Sequence, residues 1–155
     1  MVHYAVLMPL LIVLTLITPI SPLHARQAAQ DNGSVSNRVT ITIGEKQFAA
    51  TLADNATAEA FRKLLPLSIT MSELNGNEKL FRLPAPLPAQ DFVPSSIQTG
   101  DLMLYGARTV VLFYKSFPTV YSYTRIGRID DPAGLATAVG SGSVAVNIEG
   151  ARANP

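Results

Sequence analysis

The sequence has no cysteine and no tryptophan. Without thiols, disulfide frameworks, thiolate metal sites, iron–sulfur clusters and cysteine nucleophiles are excluded. Charge is scarce and evenly split, since twelve Lys and Arg against eleven Asp and Glu leave a formal net charge of +1. That balance offers no surplus to neutralise a phosphate backbone, so nucleic acid is not an expected partner. Histidine occurs only at His3 and His24. What the chain does have is apolar matter: 48% of its 155 residues are hydrophobic and 15% charged, enough for one compact domain.

No acidic or basic side chain precedes Arg26, and Tyr4 to Ile17 is apolar apart from Pro9 and Thr15. The run is short for a membrane span, breakers follow at Pro19 and Pro22, and Leu23-His24-Ala25 ends in a small residue. Residues 1–25 therefore read as an export signal cut after Ala25, with Ala28 or Ala29 as alternative cut sites and an uncleaved anchor as the other reading. The chain is expected to be exported, periplasmic or secreted, touching membrane only through an uncleaved leader. No cysteine follows the run, so a lipid anchor of the bacterial lipoprotein kind is excluded. Cleavage removes both histidines, and with them histidine triads, histidine zinc sites and histidine general bases. No metal and no cofactor are expected, and any chemistry falls to carboxylates, Arg, Lys, Tyr, hydroxyls or backbone groups.

Residues 26–37 lack apolar periodicity and read as a flexible tether, followed by a domain over 38–150 and a tail at 151–155. Val39, Ile41 and Ile43 alternate with Thr40 and Thr42, Gly44-Glu45 turns the chain back, and Phe48, Ala50 and Leu52 continue the alternation. Asp54-Asn55 can cap a helix carrying Ala58, Phe61 and Leu65 on one face, stopped by Pro66. A strand over 67–74 carries Leu67, Ile69, Met71 and Glu73 on one side, Asn75-Gly76 signals a hairpin, and a return strand follows near 79–83. The proline-rich stretch Leu83 to Pro88 reads as an extended surface arm.

Strands over 101–105 and 109–114 join at Gly106-Ala107, with Leu102, Leu104, Val111 and Phe113 as their core residues. Another strand spans 124–129, Asp131-Pro132 opens a short helix that Gly140 ends, and Val144, Val146 and Ile148 close the domain. About eight strands and two short helices fit a mainly β fold, a closed eight-stranded barrel filled by its own side chains.

The runs Met71 to Lys79, Gly100 to Gly106, Phe113 to Phe117 and Tyr123 to Ile129 resemble the bacterial cyclophilin-like domain family, in the same order and over about Val39 to Ile148. The resemblance implies an eight-stranded barrel capped by helices. It implies architecture like that of the prolyl isomerases, in a family whose members mostly have no assigned activity. A cyclophilin site carries Phe-His-Arg on one strand, whereas the nearest string here is Phe81-Arg82. Adjacent strand residues point to opposite faces, so these two cannot share a groove unless a bulge intervenes.

Isomerisation of a prolyl bond needs no nucleophile, only a group that holds the twisted amide. Arg125, expected to alternate with Tyr121 and Tyr123 along one strand face, is the candidate catalytic donor, and its other reading is a surface guanidinium stacked on Tyr123. Tyr105, Phe113, Tyr121, Tyr123, Arg125, Arg82 and Glu73 form the candidate ligand-binding set. Six of the ten aromatic residues after the leader fall between Tyr105 and Tyr123, and such side chains line grooves as readily as they fill cores. Glu73 and Glu78 flank the Asn75-Gly76 turn, where pairing with Lys79 is the plain explanation, and Asp101 shapes a turn. The functional expectation is a barrel that binds an extended peptide or small ligand in a surface groove. The alternatives are a cell-envelope peptidyl-prolyl isomerase and a partner-docking module using the Leu83 to Pro88 arm.

Overall fold

The computed structural model describes residues 36–151. The expected leader and most of the expected tether and tail lie outside the described residues. Ten strands and two helices form in chain order: β1 (Arg38–Ile43), β2 (Lys46–Leu52), α1 (Ala56–Arg62), β3 (Leu67–Leu74), β4 (Glu78–Arg82), β5 (Ser96–Ile97), β6 (Asp101–Tyr105), β7 (Thr109–Phe113), β8 (Phe117–Pro118), β9 (Thr124–Ile129), α2 (Leu135–Val139) and β10 (Val144–Gly150). Eight of them close an antiparallel barrel in the order β1-β10-β3-β4-β7-β6-β9-β2, while β5 and β8 pair separately.

Alternation in β1 and β2 works as the sequence suggests: Val39, Ile41, Ile43, Phe48, Ala50 and Leu52 all fill the interior, joined by Ile69, Met71, Val146 and Ile148. Gly127 on β9 allows β2 to approach closely, because a Cβ there would sit 2.6 Å from the Thr51 carbonyl oxygen. Helix α1 closes one end with Ala58 and Phe61 buried. Its cap is Asn55, whose Oδ1 accepts from the Ala58 N–H at 2.8 Å while its Nδ2 donates to the Arg125 carbonyl at 2.9 Å. One side chain thus satisfies an orphan helix donor and ties the helix to β9.

Two local expectations need correction. The register pairs Leu102 with Leu112 and Leu104 with Val110, so Val110 and Leu112 face the interior with Leu102 and Leu104. Val111 and Phe113 are buried instead on the outer face, in a second apolar cluster with Ile97, Met103 and Tyr123. Both faces of β6 and β7 are covered, so their apolar run carries no period of two. The Leu83 to Pro88 stretch is the expected non-strand arm, exposed at Pro84, Ala85, Pro86 and Pro88, and it is pegged to the barrel by Leu83 and Leu87, which join the interior cluster and donate their N–H groups to the Arg108 and Ala107 carbonyls at 2.8 Å. Helix α2 begins at Leu135 behind Gly134, while Asp131 only accepts from the Ala133 N–H at 3.0 Å, forming a turn before the helix.

Candidate functional site

The outer face of β4 and β7 carries a concavity of about 250 Å³. Alternation on β4 sends Lys79 and Phe81 inward and leaves Glu78 and Leu80 outward, beside Val111 and Thr109 of β7. Leu80 and Val111 make an apolar floor. Tyr105, Tyr121 and Tyr123 form the walls, and the Leu74-Asn75 end of the β3–β4 hairpin lies along the rim. Tyr105 and Tyr123 face each other with ring centroids 5.6 Å apart and planes tilted by 52°. Phe113 holds Tyr123 from below in an edge-to-face contact at 5.5 Å. Backbone bonds of 2.9 Å in both directions between Phe92 and Tyr123 fix the loop that carries this ring.

The one ionised side chain among the residues lining the concavity is Glu78, only 9% exposed. Among the described residues its carboxylate has no ion-pair partner and no side-chain hydrogen bond. Burial pushes its carboxyl above the usual glutamate range, and the charge of Glu73 adds to the effect. Burial also raises the Tyr123 phenol, with the negative charge of Glu78 the next contribution.

Behind the same hairpin, at the barrel end, lies a cluster of different character. Lys79 is fully buried and directly opposite Glu73 in the ladder. Its Nζ bonds the Glu73 carboxylate and donates to the carbonyls of Gly140 at 2.9 Å and Gly142 at 2.6 Å. Tyr114 donates its hydroxyl to Glu73 Oε1 at 2.9 Å, and the Gly76 N–H does so at 2.8 Å. Burial opposes the Glu73 charge, but these hydrogen bonds and the Lys79 ammonium outweigh it and hold the carboxyl below its ordinary range. Burial and the bond to Glu73 push the Tyr114 phenol up to about 12. Every ammonium proton has an acceptor, which identifies the cluster as a tie between the β3–β4 hairpin and the loop after α2.

The matching family model is described as the Cyclophilin-like family and covers residues 41–149. The chain belongs to this family. The solution structure of a hypothetical protein from Archaeoglobus fulgidus has a similar fold, with a TM-score of 0.52 at 20% sequence identity, covering 76% of this chain and 96% of that one. No curated protein matches the sequence.

Within this cyclophilin-like barrel, the seven sequence candidates do not converge on one point. Tyr105, Tyr121 and Tyr123 meet in the concavity. Phe113 is fully buried beneath it, as packing rather than lining. Arg82 lies opposite Thr109 on the same outer face but beyond the pocket edge. Phe81 packs against the interior cluster, so the Phe81-Arg82 pair does split between faces. Glu73 belongs to the Lys79 cluster. Arg125 Nη1 lies 3.3 Å from Asp101 Oδ1, with the guanidinium carbon 5.7 Å from the Phe92 ring centroid, outside the concavity. Asp101 is 2% exposed, receives the Gln98 N–H at 2.9 Å, and lies 3.9 Å from Arg128 Nε, so it organises this turn.

Sequence reasoning missed Glu78, Leu80, Thr109 and Val111 as lining residues. A signal existed in the period of two on β4, which sets Glu78 and Leu80 on one face. What could not be read was that β5, β8 and the loop to Tyr123 cover part of that face and leave the rest as a hollow. Among the described residues no group of three or more carboxylates converges on one point, and no helix is long and apolar enough to cross a membrane.

Proposed function

We propose that this protein is an exported binding barrel that holds an extended peptide or small ligand in the outer concavity between Tyr105, Tyr121 and Tyr123. The observation that carries the reading is the hollow itself: two tilted tyrosines and a third, 61% exposed, stand over an apolar floor on a rigid pair of strands. Arg125 acts as a tie between Asp101 and Phe92 in this reading, and binding does not require catalysis. Export rests on the uncharged, apolar stretch before Arg26, with cleavage after Ala25.

Titration with acetylated, amidated proline-containing tetrapeptides, followed through backbone amide NMR shifts, tests the site. Shifts centred on Tyr105, Thr109, Val111, Tyr121 and Tyr123, and lost in Tyr121→Ala, are expected. Shifts confined to other faces would overturn the reading. A coupled proline-peptide isomerisation assay on the same samples is expected to be flat, and acceleration abolished by Arg125→Ala would replace binding with catalysis. Intact-mass measurement of the exported protein checks the cut.

A further inference from the structure

From the largely buried Glu78 carboxylate that lines a hollow walled by three tyrosines, we infer that the groove selects ligands bearing an alkylammonium group, such as a free amine terminus, a lysine-like side chain or a quaternary amine. The inference rests on the proposed binding role of this groove and names the chemistry of its occupant.

Three features support it. The first is charge: Glu78 lines the concavity at 9% exposure, and among the described residues no Lys or Arg pairs with it. Its neighbour Lys79, which could have served, points through the sheet and spends its ammonium on Glu73, Gly140 and Gly142. A carboxylate held in this way is stabilised by any cation brought into the hollow. The second is the shape of the walls. Rings of Tyr105 and Tyr123 at 5.6 Å and 52° form a corner rather than a stack, and Tyr121 stands beside them. An ammonium resting against an exposed ring face of this wall would be attracted by the ring's negative face, the attraction that aromatic cages use. The third is the floor. Leu80 and Val111 present only hydrocarbon, suited to the alkyl part of the ligand and unable to compete with Glu78 for its charged end.

Titration of the full chain with choline chloride, and with its neutral isostere 3,3-dimethylbutan-1-ol, at constant ionic strength separates charge from shape. Amide shifts of Glu78, Tyr105, Tyr121 and Tyr123 give the affinities. Choline is expected to bind roughly tenfold tighter than the alcohol. Glu78→Gln, which keeps the side-chain shape, is expected to remove that preference while leaving the alcohol's affinity unchanged. Tyr121→Ala, at an exposed position that the fold does not need, is expected to weaken choline. Equal affinity for the two probes, or choline binding untouched by Glu78→Gln, overturns the ammonium inference and leaves the groove standing. Failure of the tetrapeptides and both probes to shift the tyrosines removes the inference and the binding role together.

Discussion

Replacing Lys79 with methionine keeps most of the apolar stem and removes the ammonium, with its charge and its three donor bonds. The ammonium is fully buried and has three acceptors, so its loss strips Glu73 of a countercharge and leaves the Gly140 and Gly142 carbonyls without that donor. Breaking a buried pair by removing one member costs about 3–5 kcal/mol. The Glu73 side chain is 23% exposed and keeps the Tyr114 hydroxyl and the Gly76 N–H, which places the expected cost near the lower end, about 3 kcal/mol. That is a large part of the roughly 5–15 kcal/mol that holds a domain folded. Urea unfolding followed by far-ultraviolet circular dichroism measures it as a lower midpoint at an unchanged slope. The double variant Lys79→Met, Glu73→Gln removes the stranded charge and is expected to recover at least about 1 kcal/mol of the loss. The pH dependence has a definite sign. Because the fold lowers the Glu73 pKa, its contribution is present above the ordinary value of 4.5 and is lost as pH falls through the depressed folded value. The Lys79→Met protein should show a weaker acid dependence there. A cost below about 1 kcal/mol, the range of exposed pairs, would refute the reasoning, as would a double variant no more stable than the single one.

Alkaline titration of the tyrosines by ultraviolet difference absorbance should show one phenol ionising near 12, and Tyr114→Phe should delete that late component. The raised value means that the Tyr114 contribution to stability is complete below pH 10.0 and disappears as pH rises from there towards 12, so alkaline unfolding should be less steep in the variant. Gly127→Ala should lower stability by about 1–3 kcal/mol in urea unfolding, because the new methyl group meets the Thr51 carbonyl oxygen at 2.6 Å and forces β2 and β9 apart. An unchanged midpoint in that variant would mean that the two strands separate without cost.

The barrel is legible where each strand has one wet face. Alternation at Val39 to Leu52 gives β1 and β2, and Asn75-Gly76, both with positive φ, marks the β3–β4 hairpin. Legibility fails at β6 and β7, since two apolar clusters share these strands and hydrophobicity no longer says which side is the interior. Phe113 is buried as expected, but in the outer cluster rather than the barrel interior. The candidate site follows the same logic. Aromatic crowding after Tyr105 points to the region of the concavity, but the hollow depends on how the Phe92 loop pins Tyr123. Arg125 was drawn away by Asp101, a partner on the neighbouring strand that the sequence brings no nearer than 24 positions. Lys79 and Glu73, by contrast, flank a short turn, and their pairing was readable from spacing alone.

Strand β1 is bonded on one side to β2, its immediate successor, and on the other to β10, the last strand of the ring. A chain emerging amino end first can build the β1–β2 hairpin early, yet Val39 waits for Gly150 before the seam can close. Until then β1 and β3 each present a bare row of amide and carbonyl groups, the kind of margin along which unfinished β proteins stick to one another. Changes that weaken β10 should therefore lower the yield of soluble protein during synthesis more than they lower the melting temperature of molecules already sealed.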